Sequence, residues 1–97
     1  MVKRYWIYIM ASRTGTLYLG VTNALERRIY EHKHDSIPGF SQRYQCHRLV
    51  YLEEYLDVRQ AIEREKQLKS WNRSKKEAPI RRLNPHWNDL AREGSLD

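Results

Sequence analysis

Two short runs rich in aromatic and β-branched residues, separated by a glycine-containing turn, constrain the fold of this chain most. Residues 5–11 read YWIYIMA and residues 16–21 read TLYLGV. Both compositions favour β-strands. Between them, Ser12-Arg13-Thr14-Gly15 predicts a turn, because glycine adopts a positive φ without steric cost. The segment therefore predicts an antiparallel hairpin.

Side chains alternate between the two faces of a strand. Trp6, Tyr8 and Met10 therefore share one face of the first strand, and Tyr18 and Gly20 share one face of the second. Both tyrosines point the same way if the register of the hairpin pairs these two faces.

A basic helix is predicted after the hairpin, running to about residue 34 with Thr22 or Asn23 as its N-cap. Counted from Leu25, the positions three, four and seven residues later lie on the same face of this helix. They are Arg28, Ile29 and His32. Arg28 and His32 are one turn apart on the face that also carries the apolar anchors. Both side chains are thus expected to flank the core.

A third strand is predicted at residues 48–55, followed by a helix that Asp57 caps and that runs to about residue 71. The predicted buried face of this helix consists of Val58, Ala61, Ile62 and Leu68. Glu65 falls in the middle of this apolar face, where an unpaired carboxylate is costly to bury. A functional role is one explanation, and an ion pair with Arg28 or Lys69 is the structural alternative.

Residues 35–46 are predicted to form a loop, with the turn at Pro38-Gly39. Phe40 and Tyr44, with Arg43 beside them, are candidates for stacking on nucleic-acid bases. The alternative is that these aromatic side chains only attach the loop to the body of the protein.

The C-terminal part of the chain is predicted to form short helical segments and turns. Residues 72–76 interrupt the helical pattern, and residues 77–83 predict a short helix that Asn84-Pro85 ends. Trp87, Leu90 and Ala91 predict a last amphipathic turn or two, and residues 93–97 a frayed tail.

The chain has 18 Lys and Arg against 12 Asp and Glu, a formal charge of +6. A basic excess attracts nucleic acid or an anionic membrane, although a solvated basic surface gives the same count. Residues 57–82 contain nine of the basic residues and four acids. The best candidates for phosphate contacts in this segment are Lys69, Arg73, Lys75 and Lys76.

Length and cysteine content restrict the class of protein. The 97 residues suit one domain (residues 1–97), and a single cysteine, Cys46, leaves no disulfide framework. We therefore expect a reducing compartment, most simply the cytoplasm. The apolar run at residues 5–11 is too short to span a bilayer and no small-residue cleavage site follows it. The spacings of His32, His34, Cys46 and His47 fit no closed zinc ligand set.

The tripeptides Trp6-Ile7-Tyr8 and Tyr18-Leu19-Gly20, followed by Arg28, His32 and Glu65, resemble the GIY-YIG nuclease superfamily. Further segments resemble its small stand-alone bacterial branch, which is related to the nuclease domain of the excision-repair endonuclease. They are Val21-Thr22-Asn23, Arg27-Arg28, Glu31-His32, Pro38-Gly39-Phe40, Arg64-Glu65-Lys66-Gln67-Leu68-Lys69, Lys75-Lys76 and Asn84-Pro85-His86-Trp87. The resemblance extends from about residue 4 to residue 91.

The resemblance implies an α+β fold with a three-stranded antiparallel sheet flanked by three to four helices. It implies hydrolysis of DNA phosphodiester bonds with one divalent ion, Mg²⁺ or Mn²⁺, for which Glu65 is the lone protein ligand. Arg28 then steadies the phosphate, Tyr8 and Tyr18 are the motif tyrosines, and His32 stands where the family usually has histidine. Gly20 and Asn23 belong to the structural part of the motif.

The chain departs from the family pattern in two places. Val21 stands where some relatives have a lysine, and the asparagine that many relatives carry after the glutamate has no counterpart in step, although Asn72 is nearby.

The chemistry is consistent with these residue types. Mg²⁺ prefers oxygen ligands and keeps several waters, so one carboxylate plus a substrate phosphate forms a plausible site. The Arg28 guanidinium is a planar, permanently charged partner for phosphate oxygens. Our hypothesis is that Tyr8 takes the proton of the attacking water, while Tyr18 and His32 orient either the water or Tyr8. The structural alternatives are sheet aromatics for the tyrosines and a hydrogen-bonded helix histidine for His32.

The sequence therefore predicts a metal-dependent endonuclease. Single-stranded or branched DNA is favoured over plain duplex, with roles in repair, recombination or DNA uptake. No membrane and no obligate protein partner is predicted. A non-catalytic nucleic-acid-binding module and an RNA-directed nuclease are the alternatives.

Overall fold

The computed structural model of the chain describes residues 3–36 and 38–91, and its centre is one antiparallel sheet. The sheet contains β1 (Tyr5–Ala11), β2 (Leu17–Thr22) and β3 (Arg48–Tyr55) in the order β2-β1-β3. The predicted hairpin is present, and Gly15 in its turn has a φ of 92°. The predicted bounds of β1 and β3 are confirmed, and β2 lies one residue later than predicted.

Four helices accompany the sheet, which confirms the predicted α+β class. They are α1 (Leu25–Lys33), α2 (Phe40–Tyr44), α3 (Val58–Ser70) and α4 (Arg73–Leu83). Within the described residues, none of these helices has the length and apolarity needed to cross a bilayer.

The central strand β1 is buried on both faces, because alternate side chains enter two different clusters. The cluster that contacts α1 contains Tyr8, Met10, Ile29, Cys46 and Leu49. The cluster on the other face contains Ile9, Ala11, Val50, Tyr51 and Ile80, the last from α4. The face that carries Tyr8 is therefore the one that α1 covers.

The N-terminus of α1 differs from the prediction. Ala24 occupies the N-cap position and makes no side-chain cap, so neither Thr22 nor Asn23 caps the helix. The Thr22 hydroxyl instead accepts a hydrogen bond from the Ala24 N–H at 3.0 Å, because Thr22 is still the last residue of β2.

The predicted loop at residues 35–46 was wrong in one part, because residues 40–44 form the short helix α2. The predicted interruption at residues 72–76 is present only at its start, because α3 ends at Ser70 and residues 73–76 already belong to α4. The Asn72 side chain accepts a hydrogen bond from the Lys75 N–H at 2.9 Å and starts α4 there. Pro79 lies within this helix and is buried.

Residues 85–91, all of them described, form turns at 85–86 and 90–91 joined by irregular backbone, where the sequence predicted a last amphipathic turn or two. The Asn84 side chain organises them, since its amide donates to the Val50 carbonyl at 3.1 Å and to the Asn88 carbonyl at 2.8 Å. Leu90 then donates its N–H to the Leu49 carbonyl at 2.8 Å. The predicted frayed tail at residues 93–97 lies outside the described residues.

Helix α3 begins as predicted, with the Asp57 carboxylate accepting from the Arg59 N–H at 2.8 Å. Its buried face is narrower than predicted. Ala61 and Leu68 are fully buried, whereas Val58 and Ile62 are 39% and 40% exposed. The helix meets the sheet along a narrow strip, which leaves Glu65 at the edge of the apolar contact.

Candidate active site

Tyr8 and Gly20 are directly opposed in the register of β1 and β2, as the predicted pairing of faces requires. A Cβ atom on Gly20 would lie 2.4 Å from the Tyr8 hydroxyl oxygen and 2.5 Å from Cζ of its ring. The missing side chain at Gly20 therefore allows the Tyr8 ring to lie across the neighbouring strand. Tyr8 is only 2% exposed, so its position is fixed by packing on all sides.

Helix α1 places His32 against the two tyrosines. The Tyr8 hydroxyl is 2.9 Å from Nε2 of His32. The Tyr18 ring centroid lies 4.9 Å from that of His32 and 6.2 Å from that of Tyr8. The structure thus brings together three of the predicted catalytic side chains in one aromatic cluster.

The charge states of Tyr8 and His32 follow from this burial. Burial lowers the pKa of His32, and the nearby Arg28 guanidinium lowers that pKa further. Burial, the neighbouring Tyr18 and the Glu65 carboxylate raise the pKa of Tyr8, while Arg28 opposes the increase. At neutral pH the phenol is therefore protonated and the imidazole neutral. The Tyr8 hydroxyl can donate its hydrogen bond to Nε2 of His32.

Arg28 stands at the edge of this cluster, with a side chain that is 36% exposed. Its closest carboxylate is that of Glu31, whose Oε1 lies 3.8 Å from Nε of Arg28, a loose contact that leaves donors for another anion. Arg28 also lines a cleft of about 230 Å³ together with Asn23 and Ile62. The guanidinium is thus presented to solvent beside the buried Tyr8–His32 pair.

The Glu65 carboxylate on α3 is near enough to Tyr8 for its charge to help raise the pKa of that phenol. Its side chain is 18% exposed and its nearest cation is Nζ of Lys69, at 3.7 Å. Of the two structural alternatives for this carboxylate, the contact with Lys69 is present. Lys69 itself is 55% exposed, so the contact is a weak surface ion pair that a stronger cation can replace.

A divalent cation would have to be held here by few protein ligands. Among residues 3–36 and 38–91 there is no group of three or more His, Cys, Asp or Glu side chains able to hold a metal ion. A half-buried carboxylate whose contact with Lys69 is weak fits Mg²⁺, which is usually bound by one or two carboxylates plus substrate oxygens. The donor set fits such an ion at Glu65.

The basic side chains predicted to contact phosphate lie on α3 and α4. Nζ of Lys75 is 5.0 Å from the centroid of the Trp71 ring, and Lys76 is partly buried. Arg73 is already engaged, because its Nε lies 3.1 Å from the Glu77 carboxylate and its guanidinium donates to the Gly15 carbonyl. Lys69 and Lys75 are therefore the most accessible of the four.

The candidate stacking residues of α2 lie elsewhere. Tyr44 is 45% exposed, with the Arg43 guanidinium 5.8 Å from its ring centroid. Tyr44 lines a cavity of about 640 Å³ with Arg13 and Arg48, whereas Arg28 lines a different one. The side chain of Phe40 lies outside the described part of the chain.

A polar network on the opposite face of the sheet was not predicted from the sequence. Arg64 donates to both Glu53 carboxylate oxygens, at 3.0 and 3.2 Å from Nε, and the hydroxyls of Tyr51 and Tyr55 donate to the same carboxylate. Alternation along β3 puts positions 51, 53 and 55 on one face, which was the available signal. All acceptors of Glu53 are used, so this network attaches α3 to the sheet.

The lowered pKa of His32 predicts how the stability depends on pH. Below the ordinary pKa of 6.5 the unfolded chain binds a proton at His32 that the folded chain does not. The free energy of unfolding should therefore fall as the pH decreases from about 7 to 5. Urea denaturation across this range measures the effect, and a His32→Gln variant should show a flatter profile.

Two carboxylates also contribute to the pH dependence of stability, but at a pH below the range in which His32 acts. Burial raises the pKa of Glu53, but hydrogen bonds from Arg64 outweigh it and hold the pKa below 4.5. A hydrogen bond from Lys33 likewise holds the pKa of Asp89 below 3.8, although burial raises that pKa. These groups lose their stabilising effect only at lower pH. An equally steep profile in His32→Gln between pH 7 and 5 would contradict the assignment.

Comparison with known proteins agrees with the motif and with the fold. Residues 4–78 match the family model described as the GIY-YIG catalytic domain. A UPF0213 protein of Natronomonas pharaonis is 31% identical over 79% of this chain and 91% of its own length. A UPF0213 protein of Staphylococcus saprophyticus is 30% identical over 77% of this chain and 92% of its own.

A solved structure shows the same fold. The solution NMR structure of the UPF0213 protein BH0048 from Bacillus halodurans superposes with a TM-score of 0.60 at 22% identity, covering 95% of this chain and 98% of that one. At this identity the likeness establishes the arrangement of strands and helices.

Proposed function

The chain belongs to the GIY-YIG nuclease family, and from that premise we propose that it is a divalent-metal-dependent endonuclease acting on DNA. The observation that carries the proposal is the buried Tyr8–His32 hydrogen bond beside an accessible Arg28, with the Glu65 carboxylate near enough on α3 for its charge to affect the pKa of Tyr8. The proposed substrates are single-stranded or branched DNA in repair, recombination or DNA uptake.

Arg28 and Glu65 have complementary roles in this proposal. The Arg28 guanidinium binds the non-bridging oxygens of the scissile phosphate and neutralises the charge that develops there. Glu65 is the protein ligand of the cation, which we propose to be Mg²⁺ or Mn²⁺, one per site. When bound, such an ion supplies Lewis-acid polarisation of the phosphate.

The proton of the attacking water passes through Tyr8. A phenol with a raised pKa is a poor base by itself, because its own proton occupies the oxygen. Tyr8 can accept the water proton only while it gives its hydroxyl proton to Nε2 of His32, 2.9 Å away. A neutral imidazole protonated at Nδ1 has the Nε2 lone pair that accepts this proton. Tyr18, packed against both rings, orients the pair.

The substrate strand is proposed to run over the basic surface of α3 and α4. The phosphates are contacted there by Lys69, Lys75 and Lys76. Arg73 also binds a phosphate once its guanidinium has left the Glu77 carboxylate. Arg43, Tyr44 and Phe40 on α2 are proposed as a second contact area for a longer strand. The lysine and arginine contacts carry no sequence information because they address the phosphate backbone, and stacking on Phe40 or Tyr44 accepts any base.

The double variant Lys75→Gln, Lys76→Gln is expected to weaken binding of single-stranded DNA and to reduce its salt dependence. Each lost phosphate contact lowers the slope of log K against log salt by about 0.7 for a single strand, so the pair should lower it by about 1.4. Fluorescence anisotropy of a labelled oligonucleotide at several salt concentrations measures the slope.

A matched control removes two charges from the exposed side chains of Arg59 and Lys66 on α3. Arg59→Gln, Lys66→Gln changes the net charge by the same amount, and its slope should stay near that of the unmodified protein. Equal slopes in the two double variants would mean that total charge alone determines binding.

One experiment tests the proposed function. The purified protein is incubated with labelled single-stranded, duplex and branched DNA, and with RNA, in Mg²⁺, Mn²⁺ or EDTA. We expect cleavage of single-stranded or branched DNA with either metal and none with EDTA. Binding without cleavage under every metal condition would indicate a non-catalytic binding module, and cleavage confined to RNA would indicate an RNA-directed nuclease.

A further inference from the structure

A groove of about 490 Å³ lies where the first turn of α1 crosses the sheet, and the nuclease site does not use it. Its lining residues are Trp6, Ala24, Leu25, Glu26, Arg27 and Leu52. None of them lines the cleft that contains Arg28. We refer to it as the Trp6 groove. Its volume lies within the range of about 300 to 1,000 Å³ that is typical of small-ligand sites.

The lining selects against a phosphate and in favour of a flat, uncharged ligand with polar edges. The walls are an indole and two leucine side chains, and the charged groups are one carboxylate and one guanidinium. Next to Trp6, Glu54 is likewise balanced by Arg4, at 3.3 Å. The net charge around the groove is thus close to zero, in contrast to the basic surface of α3 and α4.

The position of the groove connects it to the proposed site. Trp6 and Tyr8 lie on the same face of β1, two residues and therefore about 7 Å apart. Arg27 in the groove and Arg28 in the cleft are consecutive on α1. A strand whose phosphate contacts Arg28 therefore has its neighbouring nucleotide within reach of the groove.

We propose that the Trp6 groove binds one unpaired nucleobase adjacent to the phosphate that Arg28 contacts. This inference rests on the proposed function. A base is the part of a DNA strand that is flat, uncharged and edged with hydrogen-bonding groups, and the indole of Trp6 offers it a stacking surface. The Glu26 carboxylate can accept from an exocyclic amino group such as N4 of cytosine.

This occupant explains why single-stranded or branched substrates are favoured. Within a duplex both faces of a base are stacked and its edge is paired, so the base enters a side pocket only after extrusion. A strand that is already unpaired does not incur that cost. The groove therefore acts as a determinant of strandedness at one nucleotide position.

The binding test is made without metal, so that it is independent of cleavage. The full chain is labelled with 5-fluorotryptophan, which gives ¹⁹F NMR resonances for its three tryptophans. The ¹⁹F NMR spectra are recorded in EDTA. A Trp6→Phe variant assigns the Trp6 resonance. Trp87, which packs against the second core cluster, is the internal control.

The titrants are a single-stranded oligodeoxynucleotide, an abasic strand of equal length and a blunt duplex. We expect the base-containing strand alone to shift the Trp6 resonance to saturation, and the abasic strand to bind about 5- to 150-fold more weakly. Trp6→Leu should weaken binding of the base-containing strand to the level of the abasic strand. An equal Trp6 shift with the abasic strand, or equal weakening of both strands in Trp6→Leu, would overturn the proposal.

The outcome is separable from that of the nuclease proposal. A base-dependent Trp6 shift in a protein that cleaves no substrate with any metal would support the groove and reject the nuclease activity. Metal-dependent cleavage without a base-dependent shift would reject the groove alone.

Discussion

Glu65→Gln is expected to lower the rate of metal-dependent cleavage by about three orders of magnitude while the chain stays folded. The amide keeps the size of the side chain but removes the negative charge that is proposed to hold the cation. Loss of that ligand is worth several kcal/mol of transition-state stabilisation, and about 4 kcal/mol corresponds to about a 10³-fold change in rate. Initial rates at saturating Mg²⁺ on a single-stranded substrate measure the effect.

Stability should change little in this variant, because Glu65 makes only a loose contact with an exposed Lys69. Glu63→Gln is the matched control, since Glu63 is an exposed carboxylate on the same helix. It removes the same charge from α3 and should retain nearly full activity. Equal rates for Glu65→Gln and the unmodified protein would remove the carboxylate from the mechanism. Equal losses in both variants would attribute the effect to general electrostatics.

The sheet could be predicted from the sequence because its signals are local. Strand β1 combines β-branched and aromatic residues over its full length, and Gly15 marks the turn after it. Alternation then fixes which side chains of one strand share a face, and the register of the hairpin decides that Tyr8 and Gly20 are opposed.

The helices were predicted less well, because their ends depend on contacts distant in sequence. The start of α4 was predicted too late, in a segment that is rich in basic residues and precedes Pro79. Asn72 followed by helix-forming residues was an N-cap signal for the correct start. Val58 and Ile62 matched a helical apolar stripe but are exposed, whereas Ala61 and Leu68 on the same helix are fully buried. Periodicity predicts a helix without predicting how much of its face another element covers.

The identity of the candidate site residues could be proposed from the sequence, whereas their charge states could not. The pKa shifts of Tyr8 and His32 have burial as their largest cause, and burial depends on the packing of α1 over the sheet. The sequence favoured Tyr8 as the group that takes the proton of the attacking water. The buried hydrogen bond with His32 is the basis for the proposed relay of the Tyr8 proton to that imidazole.

Gly20→Ala is expected to reduce both stability and activity, because the Tyr8 ring occupies the space that the new methyl group needs. The added Cβ would meet the Tyr8 ring at 2.4 to 2.9 Å, and the ring is buried and rigid. Overpacking of this kind costs typically about 1–3 kcal/mol. A displacement of Tyr8 by about 1 Å from His32 should lower kcat by about 10²-fold. Urea denaturation and single-turnover cleavage rates measure the two effects.

A second variant separates the clash from a general loss of packing. In Gly20→Ala, Tyr8→Leu the smaller side chain leaves room for the methyl group, so the two substitutions should cost less together than the sum of their separate costs. Activity should not recover, because the hydroxyl that bonds to His32 is gone. Additive losses of stability, or a Gly20→Ala protein with unchanged kcat, would mean that Gly20 does not position Tyr8. Non-additive stability, with a lowered kcat in Gly20→Ala and no activity in the double variant, is the result that the Tyr8–Gly20 contact predicts.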